Sequence, residues 1–115
     1  MSDLDQMRKG TTHLLILKLL SDAGEPLHGY EIIRRLEGAS DGSFRFKEGL
    51  IYPALHRLEQ DGLLKSSWQE LGASRRRKVY ALTEKGQQRL RQELLRWREF
   101  SQHVNRLLGL EEAAA

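Results

Sequence analysis

The apolar positions of this chain follow a helical period at both ends and a period of two in between. Residues 12–21 read Thr-His-Leu-Leu-Ile-Leu-Lys-Leu-Leu-Ser, and Leu14, Leu15, Ile16, Leu17, Leu19 and Leu20 leave almost no polar face. Such a helix must be covered on more than one side, and in a short chain a second subunit is the expected cover. Gly24-Glu25-Pro26 breaks it. A second helix is predicted over residues 28–36, with Gly29, Ile32, Ile33 and Leu36 buried and Tyr30, Glu31, Arg34 and Arg35 outside. Residues 38–43 have loop chemistry, and 44–47 connect to a third helix over residues 48–61. There Ile51, Leu55 and Leu58 recur at i, i+4 and i+7, and Gly62 stops the helix. Its opposite face carries Tyr52, His56, Arg57 and Gln60, and Pro53 falls in the predicted first turn, where a missing N–H costs nothing.

The period then changes. Leu64, Ser66 and Trp68 alternate with Leu63, Lys65 and Ser67, while Lys78, Tyr80 and Leu82 alternate with Val79 and Ala81. Residues 70–74 supply the turn of this hairpin. Thr83 is a good N-cap for a last helix that runs to about Leu108, a length of about 37 Å at ~1.5 Å per residue. Leu90, Leu94, Trp97, Ser101, Val104 and Leu108 form a coiled-coil-like seam on it, widened by Leu95, Phe100 and Leu107. The expected fold class is therefore mainly α with a small β-hairpin: a winged helix-turn-helix plus a long C-terminal dimerisation helix. Residues 1–83 form the first unit, with 1–11 as a flexible N-terminus; 84–110 form the dimerisation helix and 111–115 a disordered tail. A homodimer is predicted through Leu15 and Leu19 of the first helix and Leu90, Leu94, Trp97, Phe100, Val104 and Leu108 of the last.

Composition narrows the chemistry. At 115 residues and 39% apolar, the chain is one small domain, too short for a typical α/β enzyme core. It has no cysteine, and its four histidines lack metal-ligand spacing, so neither a metal nor a cofactor is expected. Gly38-Ala39-Ser40-Asp41-Gly42 satisfies a nucleophile-elbow pattern, but that motif needs a preceding strand and a large parallel sheet. It follows a helix here, and no catalytic residue is expected. No long apolar run is present, so no membrane partner is expected and the predicted location is cytoplasmic. Arg75, Arg76, Arg77 and Lys78 concentrate positive charge; removing them takes the net charge from +3 to −1. The basic excess is a local patch, suited to gripping a polyanion at one point.

Several motifs in order resemble the PadR family of bacterial transcriptional regulators. They are Leu27-His28-Gly29-Tyr30-Glu31-Ile32, then Gly49-Leu50-Ile51-Tyr52-Pro53-Ala54-Leu55-His56-Arg57-Leu58-Glu59, then Gly62-Leu63-Leu64, Trp68, and Arg76-Arg77-Lys78-Val79-Tyr80-Ala81-Leu82-Thr83-Glu84-Lys85-Gly86. Chain length and a single terminal helix look like the short class of that family. The resemblance implies a regulator, by family habit a repressor, that occludes a promoter. It also implies that Tyr30 lies near the DNA backbone and that Trp97 is similar to a tryptophan stacking planar aromatic effectors. Leu50 departs from the family pattern, which often has a small polar residue there, as does Val79, where relatives often carry an aromatic.

The residues themselves support a DNA reader of double-stranded, pseudo-palindromic operators. Tyr52, His56, Arg57 and Gln60 on the third helix would meet base edges, and Arg75, Arg76, Arg77 and Lys78 the phosphates or minor groove. The competing reading is a winged-helix protein–protein interaction module, whose binding would lack the steep salt dependence of phosphate contacts.

Overall fold

The computed structural model describes residues 2–110, with side chains from residue 11 onward. Its elements are α1 (Ser2–Ala23), β1 (Leu27–His28), α2 (Gly29–Ala39), α3 (Glu48–Gln60), β2 (Leu64–Gly72), β3 (Arg75–Leu82) and α4 (Glu84–Leu107). Three helices, an antiparallel wing and one long terminal helix make the predicted winged helix-turn-helix. The expected tail at 111–115 lies outside the described residues.

α1 begins at Ser2, ten residues before the start that the apolar pattern indicates. Periodicity detects the packed part of a helix. Residues 2–11 contain only Leu4 and Met7 as large apolar side chains and no proline, so nothing there announces a helix or forbids one. Within α1, Ile16, Leu17 and Leu20 are buried, Leu14 and Leu19 pack at the edge of the core, and Leu15 stays partly exposed. The chain itself thus covers α1 on one side.

His28, expected as the first residue of the second helix, is instead the end of β1 and the N-cap of α2. Its Nδ1 accepts a hydrogen bond from the Glu31 N–H at 3.3 Å. β1 joins the hairpin to make a three-stranded sheet in the order β1-β3-β2, with Leu27 opposite Tyr80 and His28 opposite Val79. Two residues are too few for an alternation to register. Gly29, Ile32, Ile33 and Leu36 of α2 are buried as their spacing requires. Beyond α2 the turn is held by side chains. Ser40 Oγ donates to the Glu37 carbonyl at 2.9 Å and accepts from the Phe44 N–H at 3.1 Å, and the Glu37 carboxylate accepts from the Phe46 N–H at 3.0 Å. Ser40, the centre of the nucleophile-like pattern, is a turn residue.

Ile51, Ala54, Leu55 and Leu58 bury one face of α3. Pro53 is the sixth residue of α3, past the first turn where it was expected. The Gly49 carbonyl therefore lacks its donor four residues on, a loss that water can make good because Gly49 and Pro53 both face solvent. α3 ends in a paired Schellman arrangement: Gly62, at φ 77°, donates to the Glu59 carbonyl at 3.0 Å and Leu63 to the Leu58 carbonyl at 2.9 Å.

β2 runs on to Gly72 with a bulge between Glu70 and Gly72, so the turn is shorter than the five residues read from composition. Ala73 and Ser74 both take left-handed φ values, 49° and 60°. That is the conformation a two-residue hairpin turn needs, but here without the Asn-Gly sequence that advertises it. Thr83 caps α4 by accepting from the Gly86 N–H at 3.0 Å, and its hydroxyl donates to the Gly62 carbonyl at 2.7 Å. Lys85 Nζ donates to the Asp61 carbonyl at 2.8 Å. Along α4 only Gly86 and Leu90 are buried, and the molecule is accordingly elongated, 58 × 31 × 25 Å.

At Gly86 a Cβ would collide with the Leu63 carbonyl oxygen and stand 2.7 Å from Leu82 Cδ1. Because a backbone atom blocks the space, Gly86→Ala should lower stability by about 2–3 kcal/mol. Gly49→Ala, whose Cβ meets nothing within 4 Å, should gain about 0.5–1 kcal/mol. Urea melts followed by circular dichroism check both; a neutral Gly86→Ala would show that α4 can shift away from α3 at little cost.

Candidate nucleic-acid interface

α3 presents two polar lines. Tyr52, His56 and Glu59, at i, i+4 and i+7, turn toward the wing, whereas Pro53, Arg57 and Gln60 lie on the neighbouring line. Tyr52 lies against the start of α2: a Cβ at Gly29 would stand 2.5 Å from its ring, so glycine makes the room. Tyr52 as a whole remains 38% exposed. Partial burial pushes its phenol pKa up, and Glu48 and Tyr80 add to the effect. Arg57 pairs with Asp61 at 3.4 Å, an ordinary i,i+4 contact, on the side facing α1. There His13 is held below its ordinary 6.5 by burial, offset by Asp61 and reinforced by Arg57. His56 and Gln60 are exposed.

The four basic residues of β3 do not act as one patch, because alternate strand residues face opposite ways. Arg76 and Lys78 share the α3-facing side with Tyr80 and, across the strand pair, with Ser66 and Trp68. The Arg76 guanidinium lies 4.6 Å from the Trp68 ring centroid, and Lys78 Nζ lies 5.5 Å from that of Tyr80. Lys78 also pairs with Glu59 at 3.4 Å, and Glu59 accepts from Ser66 Oγ at 2.5 Å. The Ser66 bond, with Lys78 and His56, holds the Glu59 carboxyl below its ordinary pKa against a smaller desolvation effect. Arg75 and Arg77 point to the other side, where Arg77 Nε donates to Gln69 Oε1, its register partner, at 2.7 Å.

Around β1, burial lowers the His28 pKa, with Arg77 and Arg34 acting in the same direction against Glu31. Tyr30 opens α2 and is strongly exposed. Next to it Glu31 holds Arg34 at 3.0 Å and Arg35 at 2.8 Å, and those hydrogen bonds bring its carboxyl down to about 2. The structure therefore puts Tyr52 and His56 on the wing-facing line of α3 and Arg76 and Lys78 on the α3-facing side of the wing, the two joined through Glu59. It sets Tyr30 at the head of α2, Arg57 and Gln60 on the next line of α3, and Arg75 and Arg77 behind the wing. Sequence reasoning missed Glu59, Ser66 and Trp68 as supports of this surface. Alternation does put Trp68 with Arg76 and Lys78, but which face meets α3 depends on the Glu59 bonds and the bulge.

The last helix carries the other predicted set. Leu90 belongs to the chain's own core, so the open apolar face starts at Leu94 and continues through Leu95, Trp97, Phe100, Leu107 and Leu108. Val104 is half-buried. The rings of Trp97 and Phe100 are 6.1 Å apart, and with Thr11, Leu14, Glu93 and Arg96 they line a shallow cleft of about 170 Å³. Among the described residues no helix is long and apolar enough to cross a membrane.

These features define a winged helix-turn-helix protein with a basic wing and an uncovered terminal helix. Residues 16–92 match the family model described as the transcriptional regulator PadR-like family, and the chain belongs to that family. Its members are transcription regulators, not enzymes. The chain is 37% identical over 79 residues to the transcriptional regulator YqjI of Escherichia coli, a match covering 69% of this chain and 35% of that protein. The chain thus spans about a third of that relative's length. Among solved structures, a transcriptional regulator from Clostridium thermocellum superposes with a TM-score of 0.80 at 29% identity, covering 88% of this chain and 96% of that one. A PadR family regulator from Eggerthella lenta superposes with a TM-score of 0.74 at 31% identity, covering 96% and 92%.

Glu59 ties α3 to the wing as a carboxylate, which fixes the sign of its pH dependence. A group whose pKa is lowered on folding stabilises the protein above its unfolded value, here near 4.5, and that contribution vanishes as pH falls through the folded value. Glu59→Gln should cost about 1 kcal/mol at neutral pH, a figure reduced for its partial exposure. Thermal midpoints of the two proteins should converge in acid; an offset that stays constant with pH would assign the loss to shape instead of charge.

Proposed function

We propose that this protein is a sequence-reading transcriptional repressor that binds duplex DNA as a homodimer. The carrying observation is the surface shared by α3 and the wing: the α3 line of Tyr52, His56 and Glu59 is tied to the wing face of Arg76 and Lys78 by the Glu59–Lys78 pair, in a chain whose net charge is otherwise slightly negative. α3 enters the major groove, where Tyr52, His56, Arg57 and Gln60 are within the reach of base edges, and the wing lies along the adjoining phosphates. Tyr30, at the exposed head of α2, takes a backbone contact, and Arg75 and Arg77 add charge from behind the wing.

The dimer is supported by the apolar face of α4 and by the Leu15 side of α1, which the protomer leaves uncovered. Isologous pairing through Leu15, Leu19, Leu94, Trp97, Phe100, Val104 and Leu108 sets two α3 helices about 34 Å apart, and a pseudo-palindromic operator follows. Residues 84–110 then act as the dimerisation helix, and repression is occlusion of the promoter by a cytoplasmic protein that joins the nucleoid when bound. A planar aromatic effector stacking on Trp97 releases the DNA by changing the angle between subunits. The half-exposed indole and its cleft with Phe100 support that part of the reading.

Fluorescence anisotropy tests it with a duplex from upstream of the protein's own gene and a scrambled duplex, each titrated across a salt series. Affinity for the native duplex should be the higher and should fall about a hundredfold or more over a fourfold rise in salt. Equal, weak affinity for both would remove sequence reading. Sedimentation should give twice the mass of one chain, reduced to a monomer with lost DNA affinity by Leu94→Glu with Phe100→Glu; a monomeric wild-type protein would overturn the dimer.

A further inference from the structure

We propose that Trp68 is a positioning residue of the DNA interface: it holds the Arg76 guanidinium on the α3-facing side of the wing, ready for a phosphate of the strand bordering the groove that α3 enters. The inference rests on the DNA reading above and deepens it. Trp68 is 56% exposed, in a strand where Leu64 is buried and no residue beyond Ser66 is. A large ring so far from the core contributes little to packing, and one of its faces is covered by Arg76, 4.6 Å from the centroid.

The register explains the contact. Trp68 stands opposite Lys78, and Arg76 is the diagonal neighbour two residues nearer the tip, within reach of a long side chain. The residue directly opposite Arg76 is Glu70, yet the two form no ion pair. The bulge between Glu70 and Gly72 lies at that point, and a bulge re-aims the side chains beside it. Stacking and ion pairing have different consequences. An indole face fixes the guanidinium plane without neutralising it and leaves the in-plane N–H donors open, the geometry that suits a bidentate phosphate contact.

Neighbouring cations are held otherwise. Glu59 offsets the charge of Lys78, so Lys78 serves as a strut between α3 and the wing, and Arg77 bonds Gln69 on the far side. Arg75 has no partner among the described residues to fix its direction. Arg76 alone of the four combines an uncompensated charge, a held orientation and the α3-facing side.

The test is a cycle of Trp68→Ala, Arg76→Gln and the double variant, with Trp68→Phe as the conservative change. Binding to the duplex from upstream of the protein's own gene is followed across a salt series. Wild-type binding with a steep salt slope is the baseline, and its absence would overturn the DNA reading itself and this inference with it. Arg76→Gln should reduce the slope by about one for each wing on the duplex. Trp68→Ala should weaken binding about two- to fivefold per wing and flatten the slope in the same direction. The double variant should bind like Arg76→Gln, and Trp68→Phe should restore most of the loss. Both sites lie outside the core, and matching melting curves confirm that the variants fold. If Trp68→Ala weakens binding with an unchanged slope, or adds its full effect to Arg76→Gln, the indole touches DNA or shapes the wing independently, and the positioning role fails.

Discussion

The close approach of Gly86 to the Leu63 carbonyl is the constraint on which the rest of the molecule depends. Between these two residues the chain leaves α3, builds the hairpin and returns to start α4 beside the point where α3 ended. Leu63 serves both ends at once. Its N–H closes the Schellman turn on Leu58, and its carbonyl accepts from the Thr83 N–H at 3.1 Å. The Thr83 hydroxyl works the same way, receiving the Gly86 N–H and donating to Gly62. Four residues thus satisfy the end of one helix, the first turn of another and the base of the sheet. The angle between the helix that faces outward with polar side chains and the helix that faces outward with apolar ones is set there, and a side chain at position 86 would have to change it.

The wing shows why a run of like charges is a poor guide to a surface. Four consecutive cations on a strand cannot face one partner, since the side-chain period is two. The fold separates them and gives the α3-facing pair different supports, a carboxylate for Lys78 and an indole for Arg76. Exposed ion pairs of this kind are worth about 0–1 kcal/mol, so their contribution to stability is minor. Their effect is geometric: Glu59 bonds Ser66 of β2 and Lys78 of β3, and so ties α3 to both strands of the wing.

Much of this was legible in the sequence, for reasons that identify what was not. The buried faces of α2 and α3 and the alternation of the hairpin strands follow from periods long enough to count, and Thr83 and Gly62 mark helix ends by local chemistry alone. β1 escaped because two residues make no period, and His28 read as helix because its capping nitrogen does a job usually done by Ser, Thr, Asp or Asn. The start of α1 escaped for the opposite reason: the helix there has no apolar pattern. Ala73 and Ser74 adopt left-handed turns without the residues that usually signal them, so the turn looked longer than it is. Leu90 fits the spacing of the α4 seam, but spacing alone cannot say that the chain's own core takes it first.

The same junction limits how a signal at α4 could reach α3. Gly62, just past α3, and Gly86, in the first turn of α4, are the glycines at this junction that could serve as hinges, yet both are pinned. The carbonyl of Gly62 accepts from Thr83, and Gly86 is wedged against Leu63 and Leu82. A ligand on Trp97 could not bend the chain there without breaking the cap and the Schellman bonds together. The effective motion in the proposed dimer is therefore a rotation of whole protomers about the α4 seam, carrying α3 and the wing as one body. Such a rotation alters the spacing of two α3 helices while leaving each reading surface intact. An effector acting this way must bind the rotated pair more tightly than the DNA-competent one, and its preference for one arrangement of the seam sets how far it can shift the equilibrium.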